Sequence, residues 1–283
     1  MNKAYHIERM SADEVQVAVD WAIREGWNPG FADAACFYQA DPRGFFAGKI
    51  GNQIIAVASA VNYDDQFSFF GFYIVDKPYR DQGYGLALTQ ACLAYVGDRI
   101  VGLDGVITML DRYERLGYRY AHSNARYCLA ESFSSKVAAN PAVKPLANFS
   151  FDQILAYDCL HFPAPRAAFL HRWISQPGHV ALGFDQNDQL AGYTVLRPCH
   201  KGYKIGPLFA NTAEIALALF QAACQSVPKG PIFLDIPENN PDAVDLVNSF
   251  KMDKVFATAR MYRKAAPQLP IANIFGITTF ELG

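Results

Sequence analysis

The sequence is poor in the features that mark membrane, disulfide-bonded and metal-centred proteins. No run of about 18 apolar residues occurs, and Met1-Asn2-Lys3-Ala4-Tyr5-His6 opens without an apolar leader core. Six cysteines (Cys36, Cys92, Cys128, Cys159, Cys199 and Cys224) form no CxxC pair, and the six histidines form no HxxxH pair. Neither a disulfide framework nor a metal site is therefore expected. Neither sign of charge dominates: 25 Lys and Arg against 27 Asp and Glu leave a net −2, which removes any electrostatic reason for nucleic-acid binding. What is present is a chain of 283 residues, 51% hydrophobic, long enough to bury a large core in two domains. The expectation is a soluble cytoplasmic protein with no metal, nucleic-acid or membrane partner; monomer or homodimer is left open.

One stretch carries most of the information. Arg80-Asp81-Gln82-Gly83-Tyr84-Gly85 joins a predicted strand, Phe67 to Val75, to a predicted helix from Gly83 to about Asp98. A strand that enters a helix through a glycine-rich turn aims unpaired N–H groups at one spot, and the helix dipole adds positive charge there. Such a spot suits a phosphate. The Walker pattern GxxxxGK[ST] and the dinucleotide pattern GxGxxG are both absent. A helix-start turn that holds no ligand is the plainer alternative.

The surrounding pattern gives an ordered series. Tyr5 to Arg9 alternates like a strand, and Ser11-Ala12-Asp13-Glu14 has the capping-box spacing that starts a helix. A helix from about Ala32 to Ala40 and strands Gly44 to Ile50 and Ile54 to Tyr63 precede the glycine loop. Beyond it come a strand at Ile100 to Val106, a short helix around Asp111 to Leu116 closed by Gly117, and a strand from Tyr118 to Ala130. Residues 133–148 contain two prolines and small residues and read as a linker. A second series then follows: strands at His179 to Phe184, Leu190 to Pro198, Gly202 to Gly206, Ile232 to Ile236 and Lys254 to Arg263, with helices at Asn211 to Ser226 and Asp242 to Phe250. The halves echo each other, Leu103-Asp104 with Leu234-Asp235 and Ala125-Arg126 with Ala259-Arg260.

Val75 to Leu88 resembles the acyl-CoA pyrophosphate loop of the GNAT N-acetyltransferase superfamily: an apolar strand, Arg or Gln, xxGxG or xxGxA, then a helix. The element order is similar to a GNAT domain, and the whole chain resembles bacterial GNAT proteins with an appended, degenerate GNAT-like domain. The resemblance implies an α+β fold with two GNAT-like domains in tandem, each a mixed, mostly antiparallel sheet flanked by helices. Residues 1–132 would form the catalytic domain and 149–283 the degenerate one, which shapes the acceptor site or an interface. It also implies acetyl-CoA, or another acyl-CoA, as co-substrate and the primary amine of a small metabolite or amino-acid-like molecule as acceptor. An acyl-CoA sensor without turnover and an aminoacyl transferase are the competing readings.

By the same resemblance, Ile74 and Val75 would offer backbone groups to the pantetheine arm, and Arg80, Gln82, Gly83, Tyr84, Gly85 and Leu86 would surround the pyrophosphate. Tyr113, in the YxxxGY segment Tyr113 to Tyr118, would be the general acid for the leaving thiolate; a packing tyrosine is the alternative. On the acceptor side, the Trp27 to Phe31 loop suggests an amine site in which an indole and carboxylates hold a cation: Glu25, Trp27, Asn28 and Asp33. Trp27 serves equally as a core anchor. Asp104, at a strand end between glycines, is the candidate base or amine anchor, with turn capping as the alternative. The second half lacks these parts. Lys204-Ile205-Gly206-Pro207-Leu208 replaces the loop, Pro207 removes an N–H donor, and Val247 stands where Tyr113 would be.

Overall fold

The computed structural model describes residues 4–130 and 138–283. In the first half the chain runs β1 (Tyr5–Arg9), α1 (Ala12–Arg24), α2 (Asp33–Ala40), β2 (Phe45–Ile50), β3 (Gln53–Asn62), β4 (Phe67–Val75), α3 (Tyr84–Val96), β5 (Ile100–Val106), α4 (Leu110–Arg115) and β6 (Tyr118–Leu129). The second half follows with β7 (Val143–Pro145), α5 (Phe151–His161), α6 (Ala167–Trp173), β8 (Val180–Gln186), β9 (Gln189–Pro198) and β10 (Tyr203–Ala210). It ends with α7 (Ala213–Gln225), β11 (Ile232–Pro237), α8 (Pro241–Ser249), β12 (Asp253–Arg263) and β13 (Ile274–Gly276). The expected α+β class, a mixed and mostly antiparallel sheet flanked by helices, is what the chain forms. Of the predicted linker, residues 133–137 lie outside the described residues, and Val143 to Pro145 forms an edge strand against β8.

Local chemistry sets the helix starts. Ser11 accepts from the Glu14 N–H at 3.3 Å while its own N–H donates to Glu14 at 2.9 Å, and Ser150 with Gln153 repeats this box at α5. Asn240 caps α8, with Pro241 in the first helical position, where its missing N–H costs nothing.

All strands join one continuous sheet in the order β1-β2-β3-β4-β5-β12-β6-β11-β10-β9-β8-β7, with β13 attached to β10. The two halves have exchanged their long closing strands: β12 lies against β5, and β6 lies against β11. This exchange gives the sequence echo its meaning. Asp104 on β5 stands opposite Arg260 on β12, and Asp235 on β11 stands opposite Arg126 on β6. Both pairs are bidentate and buried, at 2.7 to 3.0 Å for Arg260 and 2.6 to 2.7 Å for Arg126. Removing one partner from such a pair typically costs about 3–5 kcal/mol, so each half is fastened by an aspartate of one and an arginine of the other. The helices are joined as well: Phe37 of α2 stacks on the fully buried Trp173 of α6 with centroids 6.1 Å apart.

Candidate active site

The site arises where two parallel strands part. β4 and β5 pair only from Phe67/Ile100 to Phe69/Gly102, and beyond that point they diverge. A register shift between Val57 and Ser59 on β3 faces the segment Gly71 to Ile74, where Phe72 takes a positive φ of 47°. A bulge of this kind bends a strand and re-aims its groups. Between the parted strands opens a cleft of about 990 Å3 that reaches from the glycine loop to α4 and to Glu25 and Trp27.

At its outer end, Gly83 caps α3 in the left-handed conformation, φ 88°, and a side chain there would meet nothing within 4 Å. The first-turn N–H groups of α3, from Tyr84 to Leu86, have no carbonyl partner inside the helix and face an open approach, which suits an anion. Gly83, Gly85, Leu86, Arg80, Ile74 and Val75 line the cleft. Gly85 is needed for packing, since a Cβ there would lie 2.1 Å from the Tyr73 hydroxyl. Arg80 donates through Nε to the Val75 carbonyl at 2.8 Å and through Nη2 to Glu25 at 2.7 Å, so it bridges the glycine loop and the end of α1 before Trp27. Gln82 and Tyr84 do not line the cleft: the Gln82 amide donates to the Pro78 carbonyl, and the Tyr84 ring packs 4.8 Å from Tyr5.

Tyr113 lies on the cleft wall, 9% exposed. Its ring rests against Gly105 of β5, where a Cβ would approach to 2.7 Å, so the absent side chain fixes the tyrosine's place. Burial, before the smaller effect of Tyr73, pushes the phenol up to about 12 and keeps it protonated through the neutral range. Asp104 also lines the cleft, but Arg260 and Asn124 hold its carboxylate, the latter at 2.7 Å. A base role there would require breaking a buried pair; the geometry reads as an anchor for β12.

The residues expected to hold an acceptor divide in two. Glu25 and Trp27 line the cleft, whereas Asn28 clamps the Lys201 backbone through both amide atoms at 2.8 and 3.1 Å. Asp33 is fully buried in a pair with Arg197 and also accepts from the Gly30 N–H. Neither Asn28 nor Asp33 faces the cleft, and both act by fixing the loop to the second half. The Trp27 carbonyl takes Arg126 at 2.5 Å and Lys204 at 3.4 Å. Four cleft residues come from the second half: Phe256 and Thr258 of β12, then Phe280 and Glu281. Sequence reasoning missed them because Phe256 and Thr258 reach the first half only through the strand exchange, for which the Ala259-Arg260 echo beside Thr258 was the signal, and Phe280 and Glu281 only through the segment that follows β13.

The second half has the same parting of strands but fills it. β10 and β11 run parallel from Tyr203/Ile232 to Ile205/Leu234, and β13 then pairs antiparallel with β10. At α7, the Thr212 side chain accepts the Ile215 N–H and so uses a first-turn donor internally. The segment from Ile277 onward crosses to Gly71 of β4, and Tyr63, just past β3, donates to the Leu282 carbonyl at 2.8 Å.

Comparison with known proteins agrees with this architecture. Residues 9–118 match the acetyltransferase (GNAT) family model, and residues 154–276 match a second acetyltransferase (GNAT) domain model. A holothin acyltransferase of Pseudoalteromonas sp. (strain SANK 73390) is 30% identical over 274 residues, 96% of this chain and 92% of that protein. In fold, a Pyrococcus horikoshii protein assigned as an acetyltransferase superposes with a TM-score of 0.84 at 19% identity, covering 100% of this chain and 97% of its own. A tandem GNAT protein from the clavulanic acid biosynthesis pathway superposes with a TM-score of 0.65 at 13% identity, covering 94% and 100%. With two family models on its two halves and a relative matched along almost its whole length, the chain belongs to the GNAT family of N-acyltransferases and carries two of its domains in tandem.

Proposed function

We propose that the protein transfers an acyl group, acetyl in the simplest case, from acyl-CoA to the primary amine of a small acceptor, with all chemistry in the first half's cleft. The single observation that supports this most is the continuity of that cleft. It begins at the free N–H groups behind Gly83, passes between the parted β4 and β5, and reaches Tyr113 and the Trp27 loop. The α3 N-terminus and Arg80 hold the pyrophosphate, with Arg80 leaving Glu25 to do so, and β4 guides the pantetheine arm past Ile74 and Val75. This frees the Glu25 side chain beside Trp27 to meet an arriving ammonium. The inner wall is mainly aromatic, from Trp27, Phe72, Phe256 and Phe280, and favours an amine on a flat or compact apolar body. The 30% identical relative is named as an acyltransferase, in line with this reaction class.

Tyr113 supplies the proton to the departing sulfur. The test is Tyr113→Phe, assayed by CoA release over an amine panel alongside CoA affinity by calorimetry. Turnover should fall on the order of 10² to 10⁴-fold, the usual effect of losing a general acid, with CoA affinity within about twofold of wild type. Wild-type turnover in the variant would make the tyrosine a packing residue, and wild-type protein that binds acyl-CoA but acylates no amine would favour the sensor reading.

A further inference from the structure

Glu281 is an anomaly on the cleft wall. The residue is 2% exposed, it is among the residues that line the cleft, and neither buried carboxylate oxygen has a hydrogen-bond partner among the described residues. Burying a carboxylate without such a bond is costly, and a buried, unpaired carboxylate beside a cleft is a candidate for chemistry. Thr258, on the same cleft, also has a buried hydroxyl with no partner. The rings of Phe256 and Phe280, 5.8 Å between centroids, close the wall around them.

The charges facing Glu281 come from four elements. Lys204 on β10, Arg126 on β6 and Arg197 on β9 are the cations, and Asp33 on α2 is the like charge. Arg126 is taken by Asp235 of β11, and Arg197 by Asp33. Lys204 and Glu281 are thus left without ion pairs among the described residues. Burial, the larger cause in each case, moves the Glu281 carboxyl up and the Lys204 ammonium down, so that both lean toward their neutral forms. A carboxyl poised in this way accepts a proton more readily than an exposed one.

An alkylamine arrives in a cleft as an ammonium and cannot attack until a proton has left. We propose that Glu281 takes that proton, acting as the general base for the acceptor at the inner end of the cleft. The assignment rests on the acyl-transfer reading above. In the balanced step, the ammonium gives one proton to the Glu281 carboxylate and the neutral nitrogen bonds to the thioester carbonyl carbon. The carbon–sulfur bond then breaks, the sulfur takes a proton from Tyr113, and the second nitrogen proton returns to the Tyr113 oxygen. Glu281 releases its proton to solvent, and the products are an amide and the CoA thiol.

The test compares benzylamine, protonated at pH 7, with aniline, neutral at pH 7, using acetyl-CoA and the full chain. Glu281→Gln should lower kcat/KM for benzylamine on the order of 10² to 10⁴-fold and for aniline less than about tenfold. Raising the pH should restore the benzylamine rate in the variant, because the amine then enters already neutral. Equal losses on both amines would mark a structural role, and no loss on either would remove Glu281 from the reaction; both outcomes overturn the proposal. Should the variant fail to fold, wild-type rates decide: values for the two amines within about tenfold agree with an internal base, and a rate on aniline far above that on benzylamine contradicts one. Wild-type protein inactive on both and across a wider amine panel overturns the acyl-transfer reading, and the base role with it.

Discussion

Gly71→Ala is the most exposing change to the way the two halves share one cleft. Gly71 lies on β4 at the cleft, and a Cβ there would sit 2.0 Å from the Glu281 carbonyl oxygen and 3.0 Å from its carbonyl carbon. The first distance is about 1 Å inside the closest approach real Cβ atoms make. Both neighbours are backbone, so no rotamer change relieves the clash, and the segment around Glu281 must lift. Lifting it withdraws Phe280 and Glu281 from the acceptor end and weakens the Tyr63 bond to the Leu282 carbonyl. Overpacking of this kind costs about 1–3 kcal/mol, which for a chain of this size lowers Tm by roughly 2–10 °C. The donor end is built from other residues. Calorimetry should therefore find CoA affinity within about twofold of wild type while acceptor KM rises at least about tenfold. An unchanged Tm together with wild-type acceptor kinetics would refute the idea that the crossing segment forms the acceptor wall.

Gly85→Val should abolish CoA binding by calorimetry in a protein that still folds, since the new side chain drives Tyr73 and Val75 into the donor path; retained affinity would contradict the assigned loop. His122 is held neutral, with burial first and Arg260 second pushing its pKa from 6.5 down to about 4. Between those values the unfolded chain binds a proton that the folded one does not, so stability present above pH 6.5 is lost as pH falls toward 4. The loss is at most about 3 kcal/mol, and denaturant melts of His122→Gln should show a flatter pH dependence over that window. Cutting the chain within 138–142 should not release two halves on a sizing column, because β6 and β12 remain woven through one sheet; separation into monomeric halves would contradict the exchange.

Most of the element series was legible because its signals are local: the Ser11 capping box, the period-two strands and the glycine that closes α4; α5 and α6 were not read from the sequence. The glycine turn before α3 was legible for the same reason, as it needs only its own strand and helix. What the sequence hid is long-range. Asp104 looked like a free carboxylate at a strand end, yet its partner Arg260 lies 156 positions away and reaches it only after β12 inserts beside β5. Asp33 and Asn28 suited an acceptor site by residue type but face Arg197 and Lys201 of the second half. Glu281 sits in a closing segment with no periodicity to mark its partners. The repeated Leu-Asp and Ala-Arg pairs did contain the exchange, since each Asp is matched to the Arg of the opposite half.

The central claim is that acyl-CoA binds in the first half's cleft and is positioned there for transfer. A crystal structure of the full chain with acetyl-CoA tests it most directly. The account predicts pyrophosphate density at the α3 N-terminus with Arg80 turned from Glu25 toward it, the thioester between β4 and β5 beside Tyr113, and no second molecule at β10 and β11. Density against the second half, or a first-half cleft left empty at saturating acetyl-CoA with Arg80 still on Glu25, would contradict it.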